Sequence, residues 1–305
     1  MSPFGRAAYS SDAGSLPLLM ASLPLELSAA QISEPEDLSV SIVVYRPNPT
    51  LLASTLESLG DACASLLRRW PDWRIRCFLI DNGGMPDVSA SVEALRAQGV
   101  ASTTIGGHGN VGYGRGHNVA IERAQSEFHL ILNPDIEMEA DALVSAVEFW
   151  RAHPELGLLA PRVRDDRSQL QYLCRRYPAL VDLFARGFLP ASWRKRFERR
   201  LARYEMRDLI NDKDVVWNPP IVSGCFMLFR TELLKRLSGF DPRYFLYFED
   251  YDLSLRTHEL APVAYVPRVH VLHHGGGAAR KGSAHVRMFV SSAIKFYNRF
   301  GWKLI

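Results

Sequence analysis

Cysteine is scarce in this chain: Cys63, Cys77, Cys174 and Cys225 stand far apart in 305 residues, and no two make a C-x-x-C pair. That spacing argues against a zinc site or a disulfide framework and points to a reducing compartment. Long apolar runs are missing too. The stretch Leu16 to Leu25 is interrupted by Pro17 and Pro24 and is too short for a bilayer, which takes about 20 residues, so no transmembrane helix is expected. There is little charge of one sign: 36 Lys and Arg against 33 Asp and Glu leave a net +3, too little to argue for a nucleic-acid partner. With 47% hydrophobic and 23% charged residues, the chain is an ordinary globular one.

Residues 1–37 differ from the rest, being rich in Ser, Ala and Pro with Arg6 as their single basic residue. A signal peptide ending near Ala29-Ala30 would need a stronger basic lead and no prolines, so a poorly ordered tail is expected instead. From Leu38 onward strand and helix signals alternate. Leu38 to Tyr45 is a β-rich run, and Leu52, Leu56, Leu59, Cys63 and Leu66 recur at helical spacing behind it. Arg76 to Ile80 and Val88 to Ala97 form a second strand–helix unit, Ser102 to Ile105 a third strand, His117 to Ala124 a helix, and Phe128 to Leu132 a fourth strand. Such alternation implies an α/β fold with a mostly parallel sheet covered on both faces.

Two acidic clusters carry most of the chemistry. The run Phe128 to Leu132 delivers Asp135 to the carboxyl edge of the sheet, where open α/β folds place ligands and where a carboxylate can hold a hard cation against a diphosphate. Farther on, Glu249, Asp250 and Asp252 crowd together beside aromatics, and close like charges raise one another's pKa, one way to make a general base. After the second strand, Asp81-Asn82-Gly83-Gly84 has two readings, plain turn chemistry or a carboxylate accepting the N3–H of a pyrimidine base. Gly107, Gly109 and Gly112 spell a literal G-x-G-x-x-G. A dinucleotide-binding dehydrogenase would carry that fingerprint in its first βα turn, whereas here two units precede it, leaving a flexible loop or a lining of the nucleotide pocket.

In this order and spacing, several motifs make a specific set. They are Ser41-Ile42-Val43-Val44-Tyr45, Asp81-Asn82-Gly83, Asn110-Val111-Gly112-Tyr113-Gly114 on to Asn118, Leu132-Asn133-Pro134-Asp135, Cys174-Arg175-Arg176-Tyr177-Pro178, Ser223-Gly224-Cys225, and Gly239-Phe240-Asp241 running on to Tyr247-Phe248-Glu249-Asp250-Tyr251-Asp252-Leu253. From Ser39 to His274 the chain resembles the inverting family 2 glycosyltransferases of GT-A fold, within them the bacterial rhamnosyltransferases of O-antigen and related cell-envelope glycans. The resemblance implies a Rossmann-like central sheet with a smaller mixed acceptor-side region. It implies that Asp81 reads the base, that Asp135 binds Mg2+ or Mn2+, and that Asp250 is the catalytic base with Glu249 beside it. Donor-binding positions would be Tyr45, Asp81, Asn82, Gly83, Gly112, Asn118, Asn133 and Arg256. Where the wider family has Asp-x-Asp, this chain has Asn133-Pro134-Asp135 and so a single carboxylate.

The expected organisation is a tail over 1–37, a nucleotide-sugar half over 38–160, an acceptor and catalytic half over 161–275, and a helical tail over 276–305. Val269 to His274 alternates at strand spacing, which makes His273 a candidate to complete the metal shell, with His274 as runner-up. Arg256, one helical turn after Asp252, either pairs with that carboxylate or reaches phosphate. Residues 175–207 are locally basic, and Trp193, Phe197, Leu201 and Tyr204 recur at helical spacing. This stretch either lies on an anionic bilayer or packs on its own domain. The favoured activity is transfer of L-rhamnose from dTDP-β-L-rhamnose to a lipid-linked or oligosaccharide acceptor, in the cytoplasm or on the cytoplasmic face of the inner membrane. The rivals are a transferase of another UDP- or dTDP-hexose, or a non-catalytic sugar-nucleotide or glycan-binding protein.

Overall fold

The computed structural model describes residues 36–187, 189–275 and 283–305. Most of the tail expected over 1–37 lies outside the described residues, but its last two are already paired. Glu127 N–H donates to Glu36 O at 3.1 Å and Phe128 N–H to Asp37 O at 2.9 Å.

Nine strands among the described residues form one sheet: β1 (Leu38–Val44), β2 (Ile75–Asp81), β3 (Val100–Ile105), β4 (Phe128–Leu132), β5 (Ile136–Met138), β6 (Leu158–Arg164), β7 (Val216–Trp217), β8 (Phe226–Arg230) and β9 (Val263–His273). Their order is β3-β2-β1-β4-β8-β6-β9-β5, with β7 on β9. The first four are mutually parallel, as expected. Beyond them the sheet is mixed, since β8 runs antiparallel to both β4 and β6, β6 is parallel to β9, and β5 and β7 are antiparallel to β9. The division expected at residue 160 falls inside β6, so the two halves share one sheet.

The alternation of β1 builds both faces. Leu38, Val40, Ile42 and Val44 enter a core shared with α1 (Pro49–Arg69), α2 (Ser89–Ala97) and α4 (Ala142–Ala152), while Val43 packs with Phe78, Ile80 and Ala120 of α3 (Tyr113–Arg123) on the other side. Asn48 starts α1, its Oδ1 accepting from Thr50 N at 3.0 Å and Leu51 N at 3.3 Å, and Pro49 fits the first turn, where no N–H is needed. Helix α3 begins four residues before the expected start at His117. Its glycines serve packing, because a Cβ at Gly114 would lie 2.7 Å from Phe240 Cβ and one at Gly116 2.9 Å from Val43 Cγ1.

The basic stretch is not one helix. It breaks into α5 (Leu180–Gly187), α6 (Ala191–Arg194), a 3-10 turn (Lys195–Phe197) and α7 (Glu198–Tyr204). Leu201 and Tyr204 are buried whereas Trp193 is 57% exposed, so the apolar stripe divides between core and surface. Two further helices are α8 (Thr231–Arg236) and α9 (Glu249–Thr257). At the carboxyl end α10 (Ser283–Phe300) is no loose tail. Its Ala293, Phe296 and Tyr297 share a core with Leu183, Tyr204, Tyr244 and Phe248, and Ser292 Oγ donates to Leu246 O at 2.8 Å.

A polar line runs through the otherwise apolar sheet. Ser39 Oγ meets His129 Nδ1 at 2.7 Å, His129 Nε2 meets Ser41 Oγ at 2.9 Å, and Ser41 Oγ meets His117 Nδ1 at 2.8 Å. Burial pushes His129 down to about 3, so the ring is neutral and bridges two serines. Replacing His129 with Leu removes two hydrogen bonds worth about 0.5–1.5 kcal/mol each, and denaturant unfolding is expected to show a loss of about 1–3 kcal/mol. An unfolded histidine titrates near 6.5, so the unfolded state binds the extra proton. Wild-type stability therefore falls as pH drops from about 6.5 toward about 3, and this slope is expected to shrink in the variant.

Candidate active site

The ends of β1 and β2 form one rim. Asn82 N–H donates to Val44 O at 2.9 Å and Arg46 N–H to Gly83 O at 3.0 Å, stapling the two strands beyond the sheet, and Arg46 adopts φ 45° to make the turn. Asp81 makes the expected turn contact, its Oδ1 accepting Gly83 N–H at 2.8 Å, while Oδ2 has no hydrogen bond among the described residues. Gly106 stands over it, where a Cβ would lie 3.7 Å from Oδ2. Tyr45 is 48% exposed beside this carboxylate, its ring along Gly83.

The glycine loop is fastened to that rim. Buried Asn82 donates from Nδ2 to Gly112 O at 2.9 Å and its Oδ1 meets His108 Nε2 at 3.0 Å. Gly112, at φ 93°, is required because a Cβ there would collide with Phe245 O. Its N–H is taken by Asn110 Oδ1 at 3.0 Å. Asn118 clamps Phe240, giving Nδ2–H to its carbonyl at 2.7 Å and taking its N–H at 2.9 Å. Arg256 is buried, with Nε on Asp252 Oδ1 at 2.5 Å and its other nitrogens on Leu237 O at 2.7 Å and Gly239 O at 2.8 Å. Asn82, Asn118 and Arg256, expected among the donor contacts, are hydrogen-bonded to protein here, and for Arg256 the pairing with Asp252 is one of its two expected readings. The backbone of Gly112 is engaged in the same way.

Strand β4 leads through Asn133, whose N–H donates to Cys225 O at 2.9 Å, to Asp135. The register Ile136↔His273 between β5 and β9 then sets His273 Nε2 3.6 Å from Asp135 Oδ1. That oxygen is buried without a hydrogen-bond partner. Burial lowers the His273 pKa against the pull of Asp135, which keeps the ring in the neutral form that ligates metals. A Cβ at Gly275 would lie 2.6 Å from His273 Nε2 and collide with Asp135 Oδ2, so only glycine leaves the space between them open. His274 is otherwise occupied, held by Glu137 at 2.9 Å and Asp166 at 2.5 Å. Among the described residues no three His, Cys, Asp or Glu side chains cluster as a closed metal site. One carboxylate oxygen and one imidazole nitrogen fit a cation that draws its remaining ligands from diphosphate and water.

The second acidic cluster opens α9. Tyr247 at φ 70° and Phe248 at φ 66° turn the chain into the helix, placing Glu249 and Asp250 in its first turn. Asp250 Oδ2 accepts Gly224 N–H at 3.0 Å and Oδ1 accepts Tyr251 N–H at 3.0 Å. The Gly224 peptide is itself held, since Tyr113 O–H donates to its carbonyl at 2.6 Å. Burial raises the Asp250 pKa against these N–H donors. Glu249 is pushed up to about 8 by burial and then by Asp250, and its buried Oε2 has no partner. Burial drives the Tyr113 hydroxyl far up, followed by Glu249, Cys225, Asp250 and Asp135, so both acidic clusters face this one tyrosine. Tyr113, Gly224 and Gly275 join the two acidic clusters here, as does Gln171, whose Oε1 lies 3.0 Å from His273 Nδ1. A glycine on each side of the two carboxylates, within Ser223-Gly224 and after His274, was the signal available in the sequence.

Residues 39–238 match the model of the family described as glycosyl transferase family 2. Over 283 residues the chain is 29% identical to the N-acetylglucosaminyl-diphospho-decaprenol L-rhamnosyltransferase of Mycobacterium tuberculosis, covering 87% of this chain and 86% of that one. Over 176 residues it is 31% identical to rhamnosyltransferase WbbL of Escherichia coli, 54% of this chain and 62% of that one. Among solved structures, S. aureus TarS in complex with UDP superposes with a TM-score of 0.52 at 15% identity, over 86% of this chain and 66% of that one. The mannosyltransferase PcManGT from Pyrobaculum calidifontis, in complex with GDP-Man and Mn2+, gives 0.54 at 16% identity over 86% and 65%. At such identities these two structures carry the fold alone, and that fold is the GT-A α/β architecture. With the family match spanning β1 to α8, well over half of the chain, the chain belongs to glycosyl transferase family 2.

Proposed function

We propose that this glycosyltransferase is an inverting rhamnosyltransferase, moving L-rhamnose from dTDP-β-L-rhamnose to a hydroxyl of a lipid-linked or oligosaccharide acceptor in cell-envelope polysaccharide synthesis. The observation that carries the chemistry is that the unpartnered Asp135 Oδ1, with His273 Nε2 3.6 Å away, and Asp250 both act on the one buried Tyr113 hydroxyl. The sugar is supported by the relative that matches over almost the whole of both chains.

In this reading the free Asp81 oxygen accepts the N3–H of the base, and the exposed Tyr45 ring offers it a face. Asp135 and His273 would hold Mg2+ or Mn2+. When bound, the cation would offset the charge that builds on the diphosphate as the sugar leaves. Asp250 takes the acceptor proton as the hydroxyl oxygen bonds to the anomeric carbon and the bond from that carbon to the diphosphate breaks, one displacement that inverts the centre. Gly224 and Tyr251 aim the carboxylate and stabilise its charge, while Glu249 keeps its proton. Uracil and thymine present the same N3–H, so Asp81 does not separate dTDP from UDP donors, and a transferase of another hexose from either nucleotide is the second reading.

A bilayer contact is supported by Trp193, exposed with the Arg196 guanidinium 5.6 Å from its ring, and by the exposed Arg194, Lys195 and Arg199 around it. Arg200 is engaged with Asp182 at 2.5 Å and belongs to the packed side. No helix among the described residues is long and apolar enough to cross a membrane.

Three measurements test this proposal. Turnover with a panel of nucleotide sugars is expected to be highest with dTDP-β-L-rhamnose, to stop in excess EDTA and to return with Mg2+ or Mn2+. Full activity without metal, or turnover confined to another donor, would overturn the corresponding part. Asp250→Asn is expected to lose about 10²- to 10⁴-fold in turnover with donor affinity unchanged. Glu249→Gln keeps the base and is expected to lose far less. It also removes a carboxyl whose pKa rises on folding from 4.5 to about 8, so wild-type stability relative to this variant falls as pH climbs through that window. A dead Glu249→Gln beside an active Asp250→Asn would reverse the assignment. Finally, the triple variant Trp193→Ser, Arg196→Glu, Arg199→Glu is expected to release the protein from anionic vesicles, each basic residue near such a surface being worth about 1 kcal/mol. Undiminished sedimentation with vesicles would refute the bilayer contact.

A further inference from the structure

Gln171 follows β6 in an irregular segment, where its N–H donates to Val163 O at 2.8 Å. Its side chain crosses to the end of β9 and meets His273 twice. Nε2–H donates to the His273 carbonyl at 3.2 Å, and Oε1 lies 3.0 Å from His273 Nδ1.

These two contacts determine each other. A backbone carbonyl only accepts, so the amide nitrogen of Gln171 must face it and the amide oxygen must face the ring. An amide oxygen also only accepts, so His273 Nδ1 must carry the ring proton. In a neutral imidazole the other nitrogen then holds the lone pair. That nitrogen is Nε2, 3.6 Å from the unpartnered Asp135 Oδ1. With the opposite tautomer, Nε2–H would point at Asp135 and its lone pair would be lost to the site.

We infer that Gln171 is a positioning residue for the cation site: by clamping both the carbonyl and Nδ1 of His273, it fixes the tautomer and ring orientation that present Nε2 beside Asp135. This rests on the cation reading given under the proposed function. The clamp has no catalytic contact of its own. Its consequence is that metal affinity depends on a residue that touches neither metal nor substrate, as partners of ligating histidines commonly do.

The test reads the tautomer and the metal separately. Long-range 1H–15N NMR of the protein in EDTA, with the His273 signals assigned from His273→Ala, is expected to show the Nδ1–H tautomer in the wild type and in Gln171→Glu, whose carboxylate still accepts from Nδ1. Gln171→Leu, which cannot accept, is expected to shift toward Nε2–H. Mn2+ titration followed by electron paramagnetic resonance, with the nucleoside diphosphate selected by the donor panel, is expected to show affinity falling about 10- to 100-fold in Gln171→Leu and staying near wild type in Gln171→Glu. Nucleotide binding in EDTA is expected to be equal in all three. An Nε2–H tautomer in the wild type, wild-type Mn2+ affinity in Gln171→Leu, or equal losses in the Leu and Glu variants would overturn the inference. If Gln171→Leu does not fold, the wild-type tautomer and the Glu variant still decide it. Undiminished Mn2+ binding by His273→Ala would instead remove His273 from the cation site, a failure of the underlying reading that the tautomer spectrum distinguishes.

Discussion

The short antiparallel ladder between β5 and β9 is the constraint on which the Asp135 and His273 pair, the proposed cation site, depends. Only Ile136, Glu137 and Met138 pair with His273, Leu272 and Val271, yet that register, continued by His274 N–H donating to Asp135 O at 3.0 Å, brings Asp135 and His273 together. Side chains alternate along a strand, so a slip of one residue would turn the His273 ring to the opposite face and present His274, which Glu137 and Asp166 already hold. Three pairs have little stability of their own. The longer neighbour supplies it: β9 is pinned along β6, and on the other side Met138 N–H donates to Ser58 Oγ of α1 at 3.2 Å.

Around Asp250, the proposed base, the corresponding device is a ring of contacts that returns to its start. Asp252 is fully buried and accepts from Arg256 at 2.5 Å and from Arg299 of α10 at 2.9 Å. Arg256 also holds the Leu237 and Gly239 carbonyls, Asn118 of α3 clamps Phe240, and Tyr113 at the start of α3 holds Gly224, whose N–H meets Asp250 two residues before Asp252. Burying ion pairs costs desolvation that their attraction often only offsets, so the gain from such a ring lies in geometry more than in stability. It joins α9, α3 and α10 around one carboxylate.

Much of this was legible from residue patterns, and the misses share a cause. Strand β4 and the buried positions of α1 follow from local periodicity, and Asp135 follows from its place after an apolar run. Arg256 was expected to pair with Asp252 or reach phosphate and does pair with it, whereas the bonds of Asn82 to Gly112 and of Asn118 to Phe240 carried no signal, because a sequence shows that a polar side chain is near a site and not which way it points. Gly114 and Gly116 resembled loop residues, whereas they sit in α3 to admit Phe240 and Val43, a contact between distant segments. The stripe from Trp193 to Tyr204 has the correct spacing for Leu201 and Tyr204, but the 3-10 turn at Lys195–Phe197 changes the phase and leaves Trp193 outside. Gln171 carried no local signal, since its meaning resides wholly in the end of a strand a hundred residues away.

The proton on Glu249 bears on how an acidic site admits an anionic donor. With Asp135, Glu249 and Asp250 all ionised around Tyr113, a diphosphate would meet three negative charges in a poorly solvated space, where repulsion is weakly screened. Burial keeps Glu249 neutral at physiological pH, since its pKa is about 8, and this removes one of those charges. The N–H groups of Gly224 and Tyr251, at the positive end of α9, stabilise the charge on Asp250. Asp135 is left as the carboxylate whose buried oxygen lacks a partner, and so as the one with most to gain from a cation. The same burial that makes Asp250 more basic therefore confines the unmet negative charge to the place where a diphosphate and its counter-ion would arrive together.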